Sequence, residues 1–244
     1  MSSNEYNETE FRICSYNIHK GVSTSSMRSI LPELKQAIRR VDAQMMFLQE
    51  VVGERAGAVA DLPQFEFLAD EVWPHYAYGR NAIYQKGDHG NAVLSKYPFI
   101  TWSNRDVSRW WFSQRGILFG ELSLGVYVAC IHFGLFGHER RQQLNSLFTL
   151  LTEAVPASAP LIIAGDFNDW NGKLHRQMTK NQFGEAYSDI YGQRARTFPS
   201  RLPLFSMDRI YYRNLRLIDA ELLSGRPWNR LSDHCALAAT FSLR

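Results

Sequence analysis

The sequence predicts an α/β (α+β) protein with helices packed outside a mixed sheet, and three observations carry that prediction. Strand-like segments alternate along the chain with segments of helical periodicity, the order expected of layered α/β proteins. Residues 161–164 are apolar throughout, as a buried strand is. Asn17, Glu50, His132 and Asp166 each stand at or just beyond a strand end and are followed by a loop. Sheets that present several strand ends together commonly build their sites there.

A chain of 244 residues has room for two small domains, but no linker divides it, so residues 11–244 are read as one catalytic unit behind a flexible tail at 1–10. With 45% apolar and 21% charged residues it can bury a sizeable core, which excludes disordered, collagen-like and coiled-coil architectures. The formal charge of +3 is too small to mark a nucleic-acid-binding face by itself. Cys14, Cys130 and Cys235 lie far apart in apolar stretches and are read as buried reduced thiols. The polar, acidic start lacks the features of a secretion signal, and no apolar run approaches the roughly 18 residues of a membrane span. A soluble cytoplasmic protein is expected.

Taken in order, residues 11–16 form a strand that ends at Asn17. Ile30, Leu34, Ala37, Ile38 and Val41 recur on one face of a helix over 26–41, whose last turn holds Arg39 and Arg40. A buried strand over 44–51 delivers Gln49-Glu50. The aromatic segment 67–84 has no clear assignment, residues 91–95 form a short strand, and the tryptophan-rich segment 101–114 reads as a loop. Strands over 116–122 and 126–133 are joined by Ser123-Leu124-Gly125, which suits a hairpin. An amphipathic helix follows over 138–155. The strand at 161–164 then leads into Gly165-Asp166-Phe167-Asn168-Asp169. Residues 197–205 form a proline-punctuated loop, with strands over 207–212 and 236–243.

Glu50, Asp166, Asp208 and Asp233 interrupt or close apolar stretches, where a lone carboxylate is costly to bury without a cation or hydrogen bonds. An oxygen-rich set suits a hard ion, Mg²⁺ or Mn²⁺, better than zinc, for which no close-spaced Cys/His pattern exists. Ser232-Asp233-His234 sets a histidine beside a metal-capable carboxylate, and Gly165-Asp166-Phe167-Asn168 sets a carboxylate and an amide on one turn. Such groups can activate water and hold an oxyanion, as hydrolysis of a phosphate ester requires.

Seven motifs in this order resemble the endonuclease/exonuclease/phosphatase superfamily: Ser15-Tyr16-Asn17-Ile18-His19, Leu48-Gln49-Glu50, Gly90-Asn91-Ala92-Val93-Leu94-Ser95, Ile131-His132, Gly165-Asp166-Phe167-Asn168, Met207-Asp208-Arg209-Ile210 and Ser232-Asp233-His234. Within it the chain looks closest to a poorly characterised bacterial branch with Asn-Ile-His-Lys-Gly near its start and Thr-Phe-Pro near its end. The resemblance implies a four-layer αββα sandwich of two mixed β-sheets with helices outside, and a divalent ion at one end. It implies that Glu50 is the principal metal ligand, with Asn17 beside it and Asp233 as a further or water-mediated ligand. His234 matches a general base or phosphate contact oriented by Asp208, while Asp166 positions or deprotonates the attacking water. Asn168 and His132 would hydrogen-bond the phosphoryl oxygens, and Arg115 resembles a phosphate-facing position.

Plainer readings stand beside these. The Gly-Asp-Phe-Asn turn alone could cap a helix. Asn91 is a candidate substrate contact or, in the preferred alternative, a structural amide holding a loop; His19 could meet a phosphate or a backbone carbonyl. His75, His89, His138 and His175 receive no role. Trp110-Trp111-Phe112 is expected to pack inward, in preference to stacking on bases or inserting into lipid. Arg194, Arg196 and Arg201 could contact an anionic substrate. The expected function is thus a metal-dependent phosphodiesterase or phosphatase, with a small-molecule or lipid-headgroup substrate. The alternatives are a DNA or RNA nuclease using the same site, and an inactive binding module of the same fold. Nucleic acid and peripheral lipid stay open as partners, and the sequence does not give the oligomeric state.

Overall fold

The computed structural model describes residues 9–23, 28–55, 62–85 and 87–243. Most of the tail expected at 1–10 lies outside the described residues. The chain opens with β1 (Glu10–Asn17), a 3-10 turn at His19–Gly21, α1 (Leu31–Arg39) and β2 (Met45–Arg55). It continues with α2 (Gln64–Ala69), β3 (His75–Tyr84), β4 (Gly87–Ser95), β5 (Phe99–Asp106), β6 (Gly116–Leu122) and β7 (Tyr127–His132). Then come α3 (Gly137–Ala154), β8 (Leu161–Asp166), α4 (Lys173–Lys180), β9 (Gly184–Glu185) and α5 (Ala186–Tyr191). The last elements are β10 (Asp208–Arg213), β11 (Leu215–Leu223), α6 (Trp228–Leu231) and β12 (Ala236–Leu243).

These strands make two six-stranded sheets, ordered β11-β12-β1-β2-β4-β3 and β5-β6-β7-β8-β10-β9. Side-chain alternation explains how they stack. Phe11 and Ile13 of β1, with Met45 and Phe47 of β2, join Cys130, Ile162 and Ala164 of the other sheet in one buried cluster. The opposite faces of the same strands, through Cys14, Tyr16, Met46 and Leu48, pack with Leu34 of α1 and Leu68 of α2. Ile117, Ile131 and Ile163 turn the other way, against Leu144 and Leu147 of α3 and Leu174 of α4. Three apolar layers between helix, sheet, sheet and helix constitute the four-layer sandwich.

All three cysteines are free and buried, and burial pushes each thiol up to about 12. No helix among the described residues is long and apolar enough to cross a membrane.

Several elements differ from expectation. Within the span read as a loop at 101–114, β5 pairs antiparallel with β6 from Thr101↔Glu121 to Asp106↔Gly116. As the edge strand of its sheet it buries little of either face, so it carries polar residues without the alternation that marks an interior strand. The unassigned segment 67–84 holds the second half of α2 and all of β3. Helix α1 starts at Leu31, with Pro32 in its first turn, where the missing N–H costs nothing, and positions 26–27 of the expected helix lie outside the described residues. Short α4, α5, β9 and α6 were not anticipated. Neither was β11, whose apolar spacing is broken by a bulge between Leu217 and Asp219.

The topology assembles one end of the sandwich. β1 and β2 run parallel, as do β7 and β8, so all four finish at the same end. β10 and β12 run antiparallel to them and begin there. Asn91 bridges the layers: fully buried on β4, its Nδ2 donates to Gly116 O at 3.1 Å and Cys130 O at 3.2 Å across the sandwich. That amide is committed to two carbonyls inside the protein. This arrangement supports the structural reading of Asn91 over the substrate contact.

Candidate active site

Register places the first group of side chains. His132 on β7 and Asp208 on β10 both pair with Asp166 on β8, which sets three polar residues abreast at the ends of adjacent strands. Asp166 is buried, and its Oδ1 accepts from the Asn168 backbone N–H at 2.9 Å. Its Oδ2 faces Asn17 Nδ2 at 3.3 Å, Asn168 Nδ2 and His132 Nε2 at 3.5 Å, and His234 Nε2 at 3.8 Å. Asn168 holds a left-handed backbone at φ 47°, which asparagine tolerates, and its amide also donates to Phe133 O at 2.9 Å.

The second group arrives from the other sheet. Asn17 ends β1, and its Nδ2 lies 3.4 Å from Glu50 Oε1. Glu50 sits where the register of β2 against β4 slips between Leu48 and Val51, with φ at 56°. A bulge of this kind re-aims a side chain, and a left-handed non-glycine residue costs about 1–3 kcal/mol that the surroundings must offset. His19, Lys20 and Gly21 also have positive φ. At Gly21 any Cβ would also strike the Leu31 side chain, so the turn after Asn17 depends on glycine there. This turn brings His19 Nδ1 within 3.4 Å of Asp233 Oδ1, while the His19 N–H donates to Asn17 Oδ1 at 3.1 Å.

His234 Nδ1 lies 2.8 Å from Asp208 Oδ2. Burial alone would lower this ring's pKa, but the charges of Asp208 and Asp166 and the Asp208 hydrogen bond outweigh it and raise it to about 10. The ring is therefore an imidazolium at neutral pH. Burial raises Asp166 to about 6, opposed by the His234 charge and by hydrogen bonds from Asn168 and Asn17. His132 moves the opposite way, well below the ordinary histidine value, through burial and then the Arg115 and His234 charges, and stays neutral. Asp166, Asp208 and His234 also offer ligand atoms within 4.8 Å of one another, a cluster of the kind that can hold a metal ion.

These shifts predict how the metal-free fold responds to pH. A free histidine titrates near 6.5 and the folded His234 near 10, so its pairing stabilises the fold fully below about 6.5 and is progressively lost up to about 10. In EDTA, melting temperature should fall from pH 7 to pH 10, at roughly 2–4 °C per kcal/mol lost, and fall less in His234→Ala. Equal slopes in both proteins would contradict the assignment.

Several supporting residues were missed from sequence. Thr197 Oγ1 accepts from the backbone N–H groups of Met207 and Asp208, both at 3.2 Å, and so fixes the start of β10. The Phe198 ring packs 4.9 Å from His234. Ser232 Oγ donates to Asn17 O at 2.7 Å and accepts from the His234 N–H at 3.2 Å, tying the end of β1 to the segment that leads into its neighbour β12. Asp169 accepts from Leu174 N at 3.2 Å and His175 N at 3.0 Å, capping α4. The Thr-Phe-Pro and Ser-Asp-His motifs were the available signals for three of these. His89, left without a role, feels the charges of Lys20, Glu50 and Arg115, and burial carries it down to about 4. Arg115 precedes β6 at the site end and also acts on His132. Arg194, Arg196 and Arg201 are exposed on the chain leading toward Asp208. Trp110, Trp111 and Phe112 are exposed and not packed inward, because the loop bearing them projects past the sheet ends.

Two facing mixed sheets, with an acid–histidine cluster where their strand ends meet, define the class of this protein as an α/β sandwich with a polar site at one end. The chain belongs to the Endonuclease/Exonuclease/phosphatase family, whose model matches residues 14–234. It is 41% identical over 246 aligned positions to the uncharacterized protein YbhP of Escherichia coli K12, covering 96% of each chain. It shares the fold of an endonuclease/exonuclease/phosphatase from Beutenbergia cavernae, with a TM-score of 0.79 and 17% identity over 96% of this chain and 72% of that one. ANGEL2, a 2',3'-cyclic phosphatase, superposes with a TM-score of 0.68 and 18% identity over 98% of this chain and 96% of that one.

Proposed function

We propose that this protein is a divalent-metal-dependent phosphoesterase that hydrolyses a phosphate ester by in-line attack of an activated water, with a small-molecule or lipid-headgroup substrate. One observation carries the reading: Asn17, His132, Asn168 and His234 converge from separate segments on the single oxygen Asp166 Oδ2. A carboxylate that burial lifts above the ordinary carboxylate range, ringed by donors, can accept a proton from water while the donors meet developing negative charge. Asp166 is therefore the base. His234, already protonated and held by Asp208, donates to a phosphoryl or leaving oxygen. Neutral His132 donates to a remaining oxygen, and the Asn168 amide does so by giving up its long 3.5 Å contact with Asp166 Oδ2 while it keeps Phe133 O.

Glu50, with Asn17 and Asp233, would hold Mg²⁺ or Mn²⁺. Among the described residues the Glu50 carboxylate accepts one long hydrogen bond, from Asn17, so it keeps acceptor capacity for a cation. The oxygen-rich set suits a hard ion. Asp166, Asp208 and His234 form a second cluster of possible ligand atoms, but there the His234 ring is already engaged by Asp208 through Nδ1 at 2.8 Å. The bound ion supplies charge stabilisation on the phosphoryl oxygens. The likeness to ANGEL2, described as a 2',3'-cyclic phosphatase, supports phosphoester chemistry on this fold.

The test is an activity panel of bis-nitrophenyl phosphate, plasmid DNA, RNA and phospholipids with Mg²⁺ or Mn²⁺. At least one substrate should be hydrolysed, with turnover abolished by EDTA and restored by added metal. Turnover that survives EDTA, or none on any substrate, would sink the reading.

A further inference from the structure

The catalytic end presents large apolar side chains to solvent on several adjacent connections. Ile83 is exposed at the end of β3, Trp111 is 87% exposed between β5 and β6, and Leu135 and Phe136 are exposed after β7. All lie at the end where β7 and β8 finish, because Arg55↔Gly87 and Asp106↔Gly116 pair there. The first two loops touch, since the Ile83 N–H donates to Gln114 Oε1 at 2.9 Å. The next two also adjoin, since Trp110 and Phe112 line a shared apolar cleft with Phe136. The loop before β10, which starts at this same end, exposes Leu202 and Leu204. Contiguous exposed apolar surface of this kind marks an interaction site.

Its charges are mostly basic, with Asp106 the one carboxylate among the described residues of the cleft that Arg80, Arg109 and Arg115 line, and its apolar groups are partly aliphatic. Arg109 stacks over Trp110 at 5.4 Å, Arg115 lines the adjoining cleft, and Arg201 lies beside Leu202. Tracking a nucleic-acid strand calls for ring faces and many phosphate contacts. Ile83, Leu135, Leu202 and Leu204 have no ring to stack on a base, and the net charge is only +3. Tryptophan with aliphatic neighbours and flanking arginine suits the boundary between anionic headgroups and acyl chains.

We propose that these loops form a docking surface for an anionic phospholipid bilayer, which would seat the open end of the sandwich against lipid headgroups. What docking delivers to the site rests on the phosphoesterase reading; docking itself does not. The full chain in EDTA should therefore co-sediment with vesicles of equimolar phosphatidylglycerol and phosphatidylcholine and much less with phosphatidylcholine alone, with a blue shift in tryptophan emission. Trp111→Ala combined with Phe136→Ala should lower that partition about tenfold or more while hydrolysis of soluble bis-nitrophenyl phosphate in Mg²⁺ is unchanged.

Absence of vesicle binding by a chain that still turns over the soluble ester would overturn the docking surface and leave the phosphoesterase intact. Vesicle binding without turnover of that ester would uphold docking and count against the phosphoesterase. Tight binding of a single-stranded oligonucleotide, lost in Trp111→Ala, would overturn the lipid assignment.

Discussion

Asp166→Ala and His234→Ala each lower kcat/KM for bis-nitrophenyl phosphate by about 10³-fold or more, and the double variant is hardly worse than either single one. Non-additivity is expected because the two side chains serve one event. In the proposed mechanism Asp166 takes the proton and His234 meets the charge that appears as the ester bond breaks, so losing either leaves the other without a partner. Both groups are buried, and in the folded state Asp166 relies on the His234 charge to hold its pKa down to about 6. Removing the imidazolium should raise the Asp166 pKa and move the acid limb of the kcat/KM profile upward. Full activity in both variants would reject the site. Strictly additive losses would reject the shared role.

Glu50→Gln should weaken the apparent affinity for Mg²⁺ by about tenfold or more while leaving the fold intact. The substitution keeps shape and hydrogen-bonding capacity but removes the charge. Because Glu50 sits in a bulge at φ 56° and contacts Asn17 only at 3.4 Å, little of the core depends on that charge. Metal-dependent thermal stabilisation and metal-dependent turnover should weaken together. An unchanged metal requirement in Glu50→Gln would move the metal site to the cluster around Asp208.

How much of this was legible in the chain varies with the physics of each element. Interior strands were readable because burial on both faces demands unbroken apolar runs, and β12 falls at the predicted residues 236–243. Strand β5 was not, because an edge strand satisfies only one hydrogen-bonded neighbour and tolerates the polar sequence of a loop. The polar residues at strand ends were visible because each interrupts an apolar stretch. That Asn17 and Asp166, 149 positions apart, come within 3.3 Å follows from two parallel crossovers that no local pattern encodes. Thr197 escaped because a hydroxyl capping two backbone N–H groups looks like any loop threonine. His89 escaped for a related reason: its proximity to Glu50 is created by the register slip that displaces Gln49-Glu50. The exposure of Trp111 runs against the usual fate of aromatic residues, so composition pointed the wrong way.

The active groups stand on two different sheets, Asn17 and Glu50 on one and His132, Asp166 and Asp208 on the other. The width of the gap they work across is consequently gauged by the side chains stacked underneath, among them Ile13, Phe47, Cys130 and Ile162. A methyl group added or removed in that filling would tilt one slab against its neighbour and misalign donors from acceptors several ångströms away. The spacing of the candidate site is thereby tied to the volume of residues that lie wholly inside the sandwich.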